Sequence, residues 1–138
     1  MAHLEWRGSF TDDEVNQLHA EAFGTRVFSS DEWPWNELVD RHSLGWVTAR
    51  SEQAPDAELV GFVNVPWDGF THAWLQDVMV RLDARHGGVG VAMVAVAVER
   101  ARAARCEWMH VDFDDDLRSF YLDACGFSPT NAGLMRLA

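Results

Sequence analysis

Lysine is absent from the 138-residue chain. A Walker A phosphate loop, a pyridoxal Schiff base and the nucleotide site of a protein kinase each need a primary ammonium, so those chemistries are excluded. Basic charge is scarce altogether: 11 arginines face 22 acidic residues, for a net charge of −11. A duplex nucleic-acid binder carries a basic stripe that displaces counterions. This chain has none, so no nucleic-acid partner is expected and a cationic ligand is the easier one to attract. The two cysteines, Cys106 and Cys125, lack metal-ligand spacing, and two thiols without secretory context read as reduced, small, buried residues. No metal site is expected. No apolar run approaches the ~20 residues that span a bilayer, and residues 1–5 have neither the basic start nor the hydrophobic core of a secretion signal. The expectation is a cytoplasmic protein without a membrane partner.

What is present describes a folded protein. Hydrophobic residues make up 48% of the chain and charged residues 24%, and a chain of this length buries about two-thirds of its unfolded surface around one core. Repeats and linkers are missing, so residues 1–138 read as one domain. A first strand is expected over 3–10. Thr11 and Glu14 form a capping box for a helix with Val15, Leu18 and Ala22 inward and its end near Gly24, with Phe10 and Val15 placed as a hydrophobic staple. Ser30 or Asp31 is expected to cap a second helix with Pro34 in its first turn. Residues 45–50 and 59–65 read as an antiparallel hairpin. A long strand over 72–82 has Trp74, Gln76, Val78 and Val80 on one face and Leu75, Asp77 and Met79 on the other. An apolar helix over 91–98, a strand over 107–113, a short helix with Leu117, Phe120, Tyr121 and Ala124 inward, and a final strand over 134–137 complete the order. A helix joining strands 72–82 and 107–113 makes them parallel neighbours, so the fold class is α/β with a mixed sheet.

The strongest chemical signal lies between a buried strand and a helix. Glycines at 87, 88 and 90 strip the turn of side chains, so successive backbone N–H groups and the positive helix end can approach a diphosphate, and Arg85 adds a fixed cation. A plain turn with positive φ values is the bland alternative. Gly88 and Gly90 also begin a G-x-G-x-x-G pattern with Asp112 a little over twenty residues on. Position 93, however, is methionine, and too little chain remains for a second mononucleotide half.

The sequence resembles the Gcn5-related N-acetyltransferase (GNAT) superfamily. Arg85-x-x-Gly88-x-Gly90 fits that family's Arg/Gln-x-x-Gly-x-Gly/Ala motif, and Phe120-Tyr121 with Gly126-Phe127 resembles its second motif thirty residues on. The resemblance implies a single-domain mixed sheet of six or seven strands, flanked by about four helices, with two splayed parallel central strands. It further implies an N-acetyltransferase that moves an acetyl group from acetyl-CoA to an amine by direct attack on the thioester. The backbone of Val78, Met79 and Val80 would then pair with the pantetheine arm, with a backbone N–H near Met79 stabilising the oxyanion. Arg85, His86, Gly87, Gly88, Val89, Gly90 and Val91 would hold the pyrophosphate. Tyr121, the only tyrosine, would be the general acid for the departing thiolate.

The base is not named by the resemblance. Asp114 stands where the family often has asparagine, and Gln76 where some polyamine-type members carry glutamate. Asp77, His110 and Asp112 lie on strands that would flank the cleft, and a water relay could replace them. Trp33, Trp35 and Trp67, beside Asp31, Glu32 and Asp68, are expected to line a small pocket for a cationic amine. Core or lid packing is the alternative for each tryptophan. Exposed edge strands leave room for a homodimer. A non-catalytic acyl-CoA-binding sensor or partner subunit is the second reading.

Overall fold

The computed structural model describes residues 2–138. Strand β1 (His3–Trp6) leads into helix α1 (Asp12–Phe23), whose start is the expected capping box: Thr11 accepts from Glu14 N–H, and Glu14 reaches back to Thr11 N–H. Phe10 and Val15 are both buried in one cluster. Helix α2 (Trp35–His42) begins later than Ser30 or Asp31 would place it; its N-cap residue, Pro34, gives no side-chain cap, and Asp12 Oδ1 accepts from Asn36 N–H in its first turn at 2.8 Å. A residue preceding proline is steered away from helical geometry, which keeps Trp33 out and starts the helix after Pro34. Ser29 and Glu32 instead close a turn of their own, each side chain bonding the other's N–H.

Strands β2 (Ser43–Arg50) and β3 (Leu59–Pro66) form the expected antiparallel hairpin. The long strand over 72–82 is two strands, β4 (His72–Trp74) and β5 (Gln76–Val80). β1, β2, β3 and β5 make a four-stranded antiparallel sheet, while β4 pairs in parallel with β6 (Trp108–His110). Helix α3 (Val89–Ala103) crosses between them. A 3-10 turn at Asp115–Leu117 and a π-helical turn at Ser119–Ala124 follow β6.

Two clusters form the core, one on each face of the sheet. Phe10, Val15, Leu18, Trp35, Val39, Phe62 and Met79 gather under α1 and α2; Val47, Val63, Val65, Ala73, Leu75, Met93, Val94 and Ala97 gather under α3. Val78 and Val80 also lie against the α3 cluster, with Leu75, whereas Met79 belongs to the α1 cluster. The alternation expected along 72–82 is therefore corrected. Asp77 adopts a left-handed φ of 55°, and the pairing with β3 slips between Phe62 and Asn64. An extra residue at such a bulge shifts the side-chain alternation by one.

The final strand expected over 134–137 is absent. Leu134, Met135 and Leu137 are 80% exposed or more. A strand exists only where a partner offers a ladder, and β6 spans three residues, too few to hold a tail that starts with Asn131-Ala132-Gly133, residues of low β-propensity.

Candidate active site

The anion cradle is assembled as the glycine spacing requires. After a 3-10 turn at Leu82–Ala84, His86 and Gly88 both take left-handed φ, 66° and 82°, and Gly88 stands as the N-terminal cap of α3. Among the described residues, the first amide of this stretch that bonds to the chain is Ala92 N–H, to Gly88 O at 3.0 Å. The amides of residues 86–91 are thus left without an internal acceptor at the positive end of a 15-residue helix, the arrangement that holds a phosphate group. Arg85 donates from Nε to Val80 O at 3.1 Å, tying the loop to the end of β5 with its charge exposed. Gly90 has a separate reason to lack a side chain: a Cβ there would meet the Phe120 ring at 3.1 and 3.2 Å. The two motifs of the sequence touch at this point.

A wedge opens beside the cradle. β4 and β6 are paired from His72–Trp108 to Trp74–His110, and the last rung is Leu75 N–H to His110 O at 2.9 Å. Beyond it β5 pairs with β3 alone, and residues 111–113 have no partner strand among the described residues. The strand expected to run to 113 stops at His110 because its neighbour turns away. Arg81 N–H donates to Val60 O, and Phe62 stands opposite Met79. In an antiparallel ladder this alternation turns Met79 N–H toward β3 and leaves the N–H and C=O of Val80 and the C=O of Val78 facing the wedge.

Tyr121 lies in the π-helical turn, 5% exposed, stacked on Phe113 at 4.9 Å and edge-on to Phe120 at 4.8 Å. Burial, and then the nearby Cys125 and Asp112, push its phenol up to about 12. It therefore keeps its proton throughout the neutral range. Cys125 and Cys106 are free thiols, each raised mainly by burial.

On the opposite face, Asp77 stands at the bulge between α1 and β3. Burial raises its carboxyl above the ordinary value, against the pull of the Asn64 amide and of His19. His19 is the centre of an aromatic group: Phe23, Phe28, Trp33 and Trp35 lie 4.9, 5.8, 6.4 and 6.0 Å from it. Of the three tryptophans expected in a pocket, Trp33 is 43% exposed in this group. Trp35 is 2% exposed and belongs to the core, with Nε1–H donated to Asn16 at 2.9 Å and its ring edge-on to Phe62. Trp67 packs against the α3 cluster, on the other side of the sheet. Trp67 is therefore away from His19, while Trp35 reaches it from the core and Trp33 from the exposed side. Glu32 is held by Arg26 first and by Ser29 N–H, which lowers its carboxyl to about 2; Arg26 in turn lies over Phe28.

His110 is exposed on β6, its Nε2 2.7 Å from His72 Nδ1, and it stacks on Trp74 at 4.9 Å. Asp112 is exposed just past the last rung. Sequence reasoning missed His19, Asn64 and Ser43. A signal existed for His19, which falls with Val15, Leu18 and Ala22 on the inner stripe of α1. Asn64 is the one side chain with a polar head group in an otherwise apolar, buried strand.

No curated protein sequence matches the chain. Solved structures resemble it over nearly its whole length: a Trypanosoma brucei acetyltransferase (TM-score 0.78, 21% identity, 99% of both chains covered) and a glucosamine-6-phosphate N-acetyltransferase from Arabidopsis thaliana (0.76, 14%, 97% of both). A third is AAC(6')-Iy bound to the bisubstrate analogue CoA-S-monomethyl-acetylneamine (0.70, 15%, 99% of this chain and 98% of that one). Likeness at such identities shows the shared fold. Residues 10–127 match the acetyltransferase (GNAT) family, which covers both glycine-loop and tyrosine motifs, so the chain belongs to that family.

Proposed function

We propose that the protein is an acetyl-CoA-dependent N-acetyltransferase acting on the amine of a small, cationic acceptor. The observation that carries the reading is the run of unengaged amides at 86–91, set where two parallel strands diverge. Acetyl-CoA supplies an activated acetyl thioester. The chain supplies its binding and the proton traffic. Amides 86–91 and Arg85 hold the pyrophosphate, and the wedge-facing Val80 N–H and Val78 carbonyl pair with the pantetheine amides, the Val80 carbonyl being engaged by Arg85. The expected oxyanion donor near Met79 is corrected: Met79 N–H is turned toward β3, so the donor that favours the charge developing on the thioester oxygen comes from elsewhere in the wedge.

Asp77 is the preferred base. Its desolvated carboxyl holds a proton more tightly than an exposed one, which suits a group that accepts a proton from an ammonium near neutral pH. His110 has one ring nitrogen engaged with His72 and is the second candidate. Tyr121 delivers a proton to the departing sulfur. Trp33, exposed beside His19, and the acidic surface favour a cationic acceptor by cation–π and charge attraction, Phe28 and Glu32 being taken by Arg26. The reading includes a cytoplasmic setting and a homodimer built on the free outer edge of β6.

Calorimetric titration with acetyl-CoA and a thiol-release assay over a panel of polyamines, amino sugars and peptides test it together. Binding with turnover on at least one amine is expected. Binding without turnover on any amine would identify a sensor, and absence of binding would remove the acetyl-CoA assignment.

A further inference from the structure

Asn64 sits in β3 at 9% exposure, in a strand whose other side chains up to Val65 are apolar and buried. A buried amide must satisfy both of its ends. One end is settled: the Ser43 hydroxyl donates to Asn64 Oδ1. Ser43 stands at the irregular start of β2, opposite Pro66, where the ladder slips before Gly45. With Oδ1 engaged there, Nδ2 is the end of the planar amide left to act on Asp77, whose carboxyl the Asn64 amide pulls downward against the effect of burial. The register puts Asn64 opposite Gln76, the residue before Asp77, and the left-handed φ of Asp77 brings its carboxyl to this face.

We propose that Asn64 and Ser43 are positioning residues for Asp77: Ser43 locks the Asn64 amide so that a donor, not an acceptor, meets the carboxyl, which keeps Asp77 ionised and ready to take a proton. The inference rests on Asp77 being the base. With the amide turned over, Oδ1 would meet the carboxyl, and only a protonated Asp77 could bond to it. The orientation of one amide thus sets which protonation state of Asp77 is favoured, and a hydroxyl that touches neither substrate nor Asp77 sets the orientation. The other group facing Asp77 is His19 from α1; α3 packs on the opposite face of the sheet.

The test is a carbon-detected NMR titration of the Asp77 carboxyl in the ligand-free chain, wild type against Ser43→Ala and Ser43→Thr. His19→Gln serves as a background in which the imidazole cannot contribute. Ser43→Ala should move the Asp77 midpoint upward in both backgrounds, and Ser43→Thr, which keeps the hydroxyl, should restore it. The acid limb of the kcat/KM profile should follow the same upward move while KM for acetyl-CoA stays unchanged. An Asp77 midpoint that does not respond to Ser43→Ala overturns the inference even if Asp77→Asn abolishes turnover. A midpoint that moves while the acid limb stays fixed overturns it differently, by showing that Asp77 is not the base. If Ser43→Ala loses native amide dispersion, Asn64→Ala, which removes the donor without adding a charge, gives the same readout: an upward midpoint supports the coupling and an unchanged one sinks it.

Discussion

Burial makes the folded chain hold a proton on Asp77 more tightly than the unfolded chain does. Over the window between the ordinary carboxylate value and the raised one, the native state binds more protons, so this group's contribution to stability falls as pH rises. Asp77→Asn removes the ionisation. The variant should melt at the same temperature as wild type below the carboxylate range and at a higher temperature at neutral pH, while losing turnover. Thermal scans across pH check it; a variant that melts lower at neutral pH would show that the carboxylate is not a burden to the fold. Tyr121 is shifted in the same direction for the same first cause, burial, to about 12, so its phenol remains a proton donor wherever the enzyme is assayed. Tyr121→Phe keeps the stacked ring and loses the proton. It should lower kcat by about 100-fold, the lower end of what a general acid contributes, with the Kd for acetyl-CoA unchanged. An equal loss in Kd would mark the residue as packing.

Glu14 shows how a helix can be tied down by a single side chain. It closes the capping box of α1 and also pairs with Arg50 of β2, at 2.6 Å from Oε2 to Nη1. Arg50 reaches onward to Ala57 O and Ser9 O. The Arg50 hydrogen bond, then Thr11, hold the Glu14 carboxyl below its ordinary value despite partial burial. The stability from this link is present above the ordinary carboxylate value and is lost as pH falls through the lowered one. Glu14→Gln should therefore melt lower than wild type at neutral pH, with the gap closing under acid. In the cradle, Gly88 and Gly90 are glycines for different reasons, and substitution separates them. Gly88→Ala meets open space but carries the cost of a left-handed φ, about 1–2 kcal/mol. Gly90→Ala presses on the Phe120 ring, an overpacking cost of about 1–3 kcal/mol. Because that ring lies edge-on to Tyr121, Gly90→Ala should also lower kcat, whereas Gly88→Ala should act through acetyl-CoA affinity.

These elements differ in how readable they were. The capping box, the apolar stripe of α1 and the glycine turn are fixed by neighbours within a few residues, and they stand where the spacing puts them. The break at Leu75, the bulge at Asp77 and the failure of 134–137 to form a strand depend on which strand lies alongside, information that periodicity does not hold. The inverted faces of 76–80 follow from the bulge alone, which is why Val78 and Val80 were expected on Trp74's side and lie on Leu75's. Trp35 was indistinguishable from Trp33 in sequence; only the Asn16 acceptor and Phe62, brought from α1 and β3, separate a core indole from an exposed one.

The whole molecule carries −11, and some of its few cations are committed to partners. Arg26, Arg41, Arg50 and Arg81 are all paired with carboxylates. The sheet separates two tasks. Its α3 side packs the tyrosine and the strands next to the wedge, and its α1 side gathers Asp77, His19 and Trp33. An anion is held on this molecule only by local donors acting against a repulsive field, while an ammonium approaching from afar is drawn by that field before any contact forms. Salt screens the long-range part over a Debye length of about 8 Å at physiological strength. For a doubly or more highly charged amine, kcat/KM should fall as ionic strength rises, chiefly through KM. For a neutral hydroxylamine or an aromatic amine uncharged at the assay pH, it should stay flat. Steady-state kinetics at 20 to 500 mM salt, spanning Debye lengths from nearly three times to about half the physiological one, distinguish the two. If both acceptors respond alike, the acidic surface serves solubility and takes no part in choosing the substrate.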